Sequence, residues 1–283
     1  MAVDKTNLDF NSELPFRHKK SLGQNFLTSD VVPGWLCDAA KLEAGETVLE
    51  IGPGTGRLTS ALLKRGVTVI ALEADERIMA HLEKTFALEI SQGQLKLIHG
   101  DAREITPLTL GLKDQSFKVV ANIPYYLSGF LLRQCLESPI QPTTLVFLMQ
   151  KELVTRIARA KKESLLSLSV KAFGQPHYTK TVLRGHFYPQ PKVDSAILAI
   201  YDINRTSFVG LNTEFFFSLL HLGLGKKRKQ LIHNLSHAFD RTKVTDLFAK
   251  LKLSPTVRGE DLNLETWLKL AQKLQTLPSS KRD

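Results

Sequence analysis

The stretch Val48-Leu49-Glu50-Ile51-Gly52-Pro53-Gly54-Thr55-Gly56 decides how this sequence folds. Its first four residues form a short apolar run, which is typical of a buried strand. The three alternating glycines that follow allow the backbone to approach a ligand closely. Apolar residues then recur at helical spacing over 58–65. A strand, a glycine loop and a helix in this order predict a ligand-binding turn at the carboxyl end of a parallel strand.

The alternation of apolar strands and helices continues toward the C-terminus. Further buried strands are predicted at 67–72, 95–98, 119–123 and 144–149. A last strand pair, 181–183 and 196–201, flanks a proline-rich turn. Near-continuous apolar strands separated by helices indicate a parallel sheet covered on both faces. We therefore predict an α/β fold with a Rossmann-like, mostly parallel sheet that ends in an antiparallel strand.

After about Asn212 the pattern changes, and apolar residues repeat at helical spacing as far as Leu270, with breaks near 223–225, 241–242 and 254–255. This pattern predicts a small all-helical C-terminal domain. The sequence therefore divides into three parts. They are a flexible basic arm at 1–20, an α/β domain at 21–207 and a helical domain at 208–283.

Composition restricts the possible partners and compartments. The 283 residues include 38 Lys and Arg against 28 Asp and Glu, a net charge of +10, which favours a polyanionic partner such as nucleic acid or an acidic membrane surface. Cys37 and Cys135 are far apart, which argues against disulfides and a cysteine zinc site and favours a reducing compartment. No secretory signal or membrane-length apolar run is present. We expect a cytoplasmic protein without a metal or a membrane partner.

Acidic residues at the ends of successive strands predict the ligand of the glycine loop. Glu73 ends the second strand, where an acid can accept hydrogen bonds from ribose hydroxyls, and Asp101 ends the third strand and could accept one from an adenine amine. Arg57 occupies the position of the third glycine in a dinucleotide fingerprint, which disfavours a nicotinamide oxidoreductase. The pattern fits an adenosine without a pyrophosphate, and S-adenosylmethionine suits it.

The turn Asn122-Ile123-Pro124-Tyr125 follows the fourth strand and predicts the reaction. An exocyclic aromatic amine is a poor nucleophile because its lone pair is delocalised into the ring. The Asn122 side-chain oxygen and the Ile123 carbonyl could accept its hydrogens and expose that lone pair. Pro124 would fix the turn, and Tyr125 offers a flat face on which a base can stack. Methylation of a base amine by correct placement is therefore predicted, without a strong general base.

With these motifs in hand, the chain resembles the ribosomal RNA adenine dimethyltransferases, above all the small-subunit (16S) type, from about Lys19 to Leu270. The matching segments are 21–27, 50–59, Glu73, 100–102, 122–125, 150–156 and 187–195. The resemblance implies a class I methyltransferase fold and S-adenosylmethionine as methyl donor. The residues that it assigns to the cofactor are Asn25, Leu27, Gly52, Gly54, Glu73, Asp101, Ala102 and Asn122. It further implies that Tyr125 and Phe187 sandwich the target adenine.

The resemblance also implies a substrate. In the family, two adjacent adenosines near the 3′ end of the small-subunit RNA each receive two methyl groups during ribosome biogenesis. The implied partner is that RNA or the assembling small subunit, bound by a monomer. Four basic residues resemble the family's basic helix, and they are Lys226, Lys227, Arg228 and Lys229. On a chain with this charge they predict contacts to RNA phosphates, although a solvated helix face is the alternative.

Two other functions fit parts of the pattern. The large-subunit enzyme of the antibiotic-resistance type shares the fold, the cofactor and the Asn-Ile-Pro-Tyr motif. Gly23 and Gln150-Lys151-Glu152 favour the small-subunit type. A nucleic-acid-binding factor on the same fold would need no catalysis, and the intact segment 122–125 argues against it.

Overall fold

The computed structural model describes residues 24–226 and 228–276. The arm predicted at 1–20 and one of the four predicted basic residues, Lys227, lie outside the described residues. No helix in the described ranges is long and apolar enough to cross a membrane. Within the same ranges, no group of three or more His, Cys, Asp or Glu side chains could hold a metal ion.

The described part of the first unit is built on a seven-stranded sheet with the order β4-β3-β2-β5-β6-β9-β7. Neighbouring strands from β4 to β6 are parallel, whereas β9 runs antiparallel to both β6 and β7. The strands are β1 (Phe26–Leu27), β2 (Thr47–Ile51), β3 (Thr68–Glu73), β4 (Leu95–His99), β5 (Lys118–Asn122), β6 (Thr144–Gln150), β7 (Gln175–Val182), β8 (Phe187–Tyr188) and β9 (Ser195–Tyr201). The predicted α/β sheet is confirmed.

Strand β7 is longer than the sequence predicts. The prediction covers 181–183, but the strand begins at Gln175 and pairs along its length with β9, with an irregularity between Tyr178 and Lys180. As an edge strand it carries mostly partly or fully exposed side chains, so it lacks the apolar run by which buried strands are recognised. The short antiparallel pair β1–β8, in which Leu27 faces Phe187, also escapes prediction because each strand has two residues.

Helices connect the strands and form the C-terminal part. The described α-helices are α1 (Val31–Ala39), α2 (Arg57–Leu63), α3 (Glu76–Thr85), α4 (Ala87–Ser91), α5 (Ser128–Glu137), α6 (Lys151–Ala158), α7 (Leu165–Phe173), α8 (Thr213–Leu224), α9 (Leu231–Leu235), α10 (Arg241–Lys250) and α11 (Leu264–Leu274). The helices α2, α3, α5 and α6 follow the parallel strands β2, β3, β5 and β6, so their N-termini lie toward the carboxyl ends of these strands.

The chain divides into two compact units, and the division differs from the predicted one. Residues 24–155 and Gln175–Ile203 form the first unit, whereas Arg156–Gly174 joins residues 204–276 in the second. Helix α7 belongs to the helical unit because the Phe173 ring lies 5.0 Å from the ring of Phe208, and because Lys162 pairs with Glu260. The sequence does not indicate that Arg156–Gly174 belongs to the second unit, because this segment lies between two strands of the first unit, β6 and β7.

The helix break predicted near 223–225 is confirmed, because α8 ends at Leu224 with Gly225 as its C-cap, whereas Gly223 itself lies inside the last turn of the helix. A Cβ at this position would overlap the indole ring of Trp267, a completely buried side chain of α11. The Trp267 indole nitrogen donates a hydrogen bond to the carbonyl of Gly259 at 3.2 Å. The glycine is therefore required by close packing in the second unit rather than by a turn.

Candidate active site

One cavity lies at the carboxyl ends of the parallel strands, where the sequence predicts the ligand. Its wall is formed by the segment around β1, the glycine loop after β2, the ends of β3 and β4, and the turn after β5. All eight residues that the sequence assigns to the cofactor line it, namely Asn25, Leu27, Gly52, Gly54, Glu73, Asp101, Ala102 and Asn122. Residues that are up to 97 positions apart in the sequence therefore meet in one place.

The glycine loop owes its shape to left-handed backbone angles. Gly54 has a φ of 56° and Gly56 a φ of 81°, a region that residues with a Cβ rarely adopt. A Cβ on Gly54 would lie 3.1 Å from the Phe26 ring, and one on Gly56 would lie 2.6 Å from the ring of Phe86. The loop therefore requires glycine at both positions for conformation and for space, and α2 begins directly after it.

Glu73 joins the loop to the end of β3. Its Oε1 accepts hydrogen bonds from the backbone N–H groups of Ala74 and Asp75, both at 2.9 Å, and its Oε2 accepts one from Gly54 at 3.3 Å. Burial raises the pKa of Glu73 above its ordinary value, and these three donors oppose the shift. A carboxylate has about four lone-pair sites, so acceptor capacity toward the cavity is left after the three bonds.

Glu50, which precedes the glycines, has no surface in the cavity. It is completely buried, its Oε2 accepts a hydrogen bond from the Thr59 hydroxyl at 2.7 Å, and its Oε1 has no partner among the described residues. Burial raises the pKa of Glu50 to about 8. The group is therefore mainly protonated at neutral pH and stabilises the inner side of the loop as a neutral acid.

Asp101 is already engaged by a residue that the sequence analysis missed. The Nε of Arg103 lies 3.0 Å from both carboxylate oxygens of Asp101, and the Arg103 backbone N–H donates to the same group at 2.8 Å. This ion pair holds the pKa of Asp101 below its ordinary range. Arg103 also lines the cavity. The Arg103 guanidinium is therefore a second polar group, beside Asp101, in the part of the cavity where the sequence predicts the adenine amine of the cofactor.

The side-chain amide of Asn122 is held in one orientation. Its Nδ2 donates a hydrogen bond to the backbone carbonyl of Asn25 at 3.1 Å. The amide oxygen is left as an acceptor, which is the role that the proposed chemistry requires. Pro124 lines the cavity next to it, and the Ile123 side chain is buried behind it.

The two aromatic residues predicted to sandwich the adenine are not equivalent. The Tyr125 hydroxyl lies 2.7 Å from the Oγ of Ser195, which fixes the ring. Phe187 is completely buried, because β8 pairs with β1 and turns this ring into the core. In this structure Phe187 has no accessible face for a base, contrary to the prediction. The accessible aromatic side chain in the cavity wall is Tyr126, which is 60% exposed.

The described members of the predicted basic cluster are exposed in the second unit. Lys226, Arg228 and Lys229 lie between α8 and α9. The buried Asn234 holds this loop, because its Nδ2 donates to the carbonyls of Gly223 at 2.8 Å and of Lys226 at 3.4 Å.

Two histidines lie close to this loop. The His237 Nε2 lies 3.4 Å from the Lys226 Nζ, and the His233 ring is 5.2 Å from that of His237. Loss of water contact lowers the pKa of His233, and the nearby cations lower it further.

Fold and site together define a Rossmann-like class I methyltransferase. The defining features are the glycine loop after β2, the acids that end β3 and follow β4, and the Asn-Ile-Pro-Tyr turn after β5. Residues 15–276 match the sequence model of the ribosomal RNA adenine dimethylase family. The chain belongs to this family, and it is an S-adenosylmethionine-dependent enzyme that dimethylates adenine in ribosomal RNA.

Individual relatives agree with this assignment. The chain is 38% identical over 255 residues to a ribosomal RNA small subunit methyltransferase A of Dehalococcoides mccartyi, with 89% of this chain and 87% of the relative covered. A dimethyladenosine transferase structure from Plasmodium falciparum has a TM-score of 0.76 at 26% identity, covering 88% of this chain and 97% of the other. A 23S rRNA methyltransferase structure, with a TM-score of 0.70, 23% identity and coverage of 89% and 100%, shares the fold.

Proposed function

We propose that this enzyme dimethylates two adjacent adenosines near the 3′ end of small-subunit ribosomal RNA during ribosome biogenesis. The observation that carries the proposal is the single cavity in which the Asn122 amide, Glu73 and Asp101 meet the glycine loop. The small-subunit assignment is supported by the relative from Dehalococcoides mccartyi, whose name specifies the small subunit. The enzyme acts as a cytoplasmic monomer on the RNA or on the assembling subunit.

The residues of the cavity fit S-adenosylmethionine. Glu73 keeps acceptor capacity for the ribose hydroxyls beyond its three backbone bonds, and Asp101 can accept from the adenine amine when it shares its oxygens with Arg103. The glycine loop leaves room for the amino-acid part, since a Cβ on Gly52 would meet no atom within 4 Å. When bound, the cofactor supplies a methyl group on a cationic sulfur.

The chain prepares the adenine amine by hydrogen bonding. The Asn122 amide oxygen, oriented by the bond from Nδ2 to the Asn25 carbonyl, accepts one amine hydrogen, and the Ile123 carbonyl accepts another. The nitrogen lone pair then becomes available for attack. Tyr125 provides the stacking face, and the bond to Ser195 keeps that face in place. Because the methylated amine is acidic, its proton can leave to solvent without a strong base.

RNA affinity is assigned to the second unit. The exposed Lys226, Arg228 and Lys229 follow α8, and the net charge of +10 favours a polyanion. We assign the same role to Lys227 on sequence grounds. Contacts of this kind bind phosphates without reading the bases, so they hold the RNA while the first unit performs the reaction.

Labelled S-adenosylmethionine and unmethylated small subunits test the proposal directly. We expect dimethyladenosine in nucleoside analysis and a primer-extension stop on the small-subunit RNA. A stop on large-subunit RNA instead would favour the antibiotic-resistance type. Binding of RNA without methyl transfer would favour the non-catalytic factor.

A further inference from the structure

Two exposed aromatic side chains, Tyr126 in the cavity wall and Phe130 four residues later, have no role in the reaction described above. Tyr126 is 60% exposed and Phe130 is 38% exposed. Among the large hydrophobic side chains that are exposed in the described residues, these are the two aromatic ones. Exposed rings cost free energy in water, and a grouped pair beside a reaction centre points to a ligand.

The two rings follow the catalytic turn closely in the sequence. Tyr126 lies in the short 3₁₀ turn Tyr125–Leu127, and Phe130 lies in the first turn of α5, four residues later. The 3₁₀ turn runs directly into the helix, so the two exposed rings lie close together along one short segment. Tyr126 also lines the cavity, so the first of the two rings belongs to the cavity wall and the second follows it four residues later.

Cations accompany both rings. Arg103 lines the same cavity as Tyr126. Arg133 is exposed three residues after Phe130, on the same helical face. Aromatic faces with interspersed arginines are the usual surface for single-stranded nucleic acid, because bases stack on the rings and the cations contact phosphates.

We propose that Tyr126 and Phe130 form a stacking surface for the unpaired base that flanks the target adenosine, with Arg103 and Arg133 facing its phosphates. The inference rests on the proposed function, because two adjacent adenosines require one base outside the cavity while the other reacts. Stacking does not depend on base identity, so the surface accepts whichever base lies on this side of the target adenosine.

The test uses small subunits rebuilt on RNA in which the nucleotide next to the target adenosine is intact or abasic. With the wild-type enzyme, loss of the neighbouring base should lower kcat/KM by about 5- to 150-fold, the range for loss of one base–aromatic stack. Phe130→Ala should lower kcat/KM by a similar factor on intact RNA. On abasic RNA the variant should be almost as active as the wild-type enzyme is on the same RNA. Such non-additivity is the signature of two groups in contact.

Two matched variants control the measurement. Phe130→Tyr keeps the ring and should restore the wild-type values, whereas Phe130→Leu keeps apolar bulk and should not. Leu88→Ala removes another exposed apolar side chain, on α4, and should leave kcat/KM unchanged.

The outcomes also separate the two proposals. If the losses in kcat/KM caused by Phe130→Ala and by the abasic RNA multiply when they are combined, the two groups act independently and the stacking surface is wrong. The same holds if Phe130→Ala leaves kcat/KM unchanged. Neither result would contradict the proposed function. Absence of dimethyladenosine with the wild-type enzyme on intact subunits would overturn the proposed function as well.

Discussion

The hydroxyl oxygen of Tyr125 lies 2.7 Å from the Oγ of Ser195, and Ser195 is completely buried at the start of β9. This bond joins the catalytic turn to a segment 70 residues later in the chain. It explains how the ring of Tyr125, which lies between the cavity-lining residues Pro124 and Tyr126 in the chain, keeps a fixed orientation. The tyrosine hydroxyl therefore supports the ring that we propose as the stacking face.

Ser195→Ala should lower kcat about five-fold, because a net hydrogen bond of about 1 kcal/mol that positions the ring is lost. Tyr125→Phe should have a similar effect, since it removes the other half of the bond and keeps the face. The double variant should be no worse than either single one. Single-turnover methylation measures this coupling, and fully additive losses would show that Ser195 does not act through Tyr125.

Asn122→Ala should strongly reduce methyl transfer while RNA binding is retained, because phosphate contacts elsewhere dominate affinity. The second transfer should suffer more than the first, since a monomethylated amine has one hydrogen left for the acceptors. Nucleoside analysis should then show little dimethyladenosine and at most traces of the monomethyl product.

Asn122→Asp serves as the matched control for this prediction. It keeps an oxygen acceptor but loses the donor to the Asn25 carbonyl, so it separates the acceptor role from orientation. Dimethylation at the wild-type rate by the alanine variant would contradict the mechanism.

Glu73→Ala should weaken cofactor binding by about 1.5–3 kcal/mol, because charge-assisted hydrogen bonds to the ribose are lost. Glu73→Gln retains one oxygen acceptor for the neighbouring N–H groups and should lose less. Calorimetric titration with S-adenosylmethionine gives both affinities. If a folded alanine variant binds as tightly as the wild type, Glu73 does not contact the ribose.

Replacement of Lys226, Lys227, Arg228 and Lys229 by alanine should weaken RNA binding and flatten its salt dependence. The log–log slope should fall by about 0.7–0.9 for each lost phosphate contact. Cofactor affinity should not change. Lys250→Ala with Lys252→Ala removes other exposed lysines of the same unit and should leave the slope nearly intact. An unchanged slope in the cluster variant would assign these residues to a solvated surface.

Glu50 should make the protein less stable as the pH rises. Its pKa is about 8 in the folded state, against an ordinary value of 4.5, so between these two values the folded state holds a proton that the unfolded state releases. Stability from this group is complete below about pH 4.5 and is lost toward pH 8. Glu50→Gln is neutral throughout. The Tm of this variant should rise relative to that of the wild type between pH 5 and pH 8. If the difference in Tm between the two proteins does not change with pH, Glu50 is not a buried neutral acid.

The sequence predicts the parts of this fold that obey local rules. Strands β2 and β6 are recognised because both of their faces are buried, so their residues form apolar runs. The glycine loop, Glu73 and Asp101 follow from the rule that ligands meet the carboxyl ends of parallel strands. The presence of Gly52, Gly54, Glu73, Asp101, Ala102 and Asn122 in the cavity wall has this physical origin, whereas Asn25 and Leu27 are predicted from the family resemblance.

The features that the sequence does not predict depend on contacts between distant segments. Helix α7 joins the second unit through Phe173 and Phe208, a contact that no periodicity encodes. Nothing in the dipeptide Tyr125-Tyr126 indicates which ring is anchored and which is accessible. The Ser195 hydroxyl and the pairing of β1 with β8 decide the roles of Tyr125 and Phe187.

The hydrogen bond from Asn122 to the Asn25 carbonyl has a consequence for the order of events during synthesis. Asn25 directly precedes β1, and in the described part of the chain β1 pairs with β8 alone, at Phe187 and Tyr188. The segment that orients the catalytic amide leaves the ribosome first, yet its partner strand follows about 160 residues later. In the proposed mechanism, a nascent chain with a complete glycine loop and Asn-Ile-Pro-Tyr turn therefore still lacks the strand that holds the Asn25 segment in place, and we expect methyl transfer only after β8 has been made and has paired.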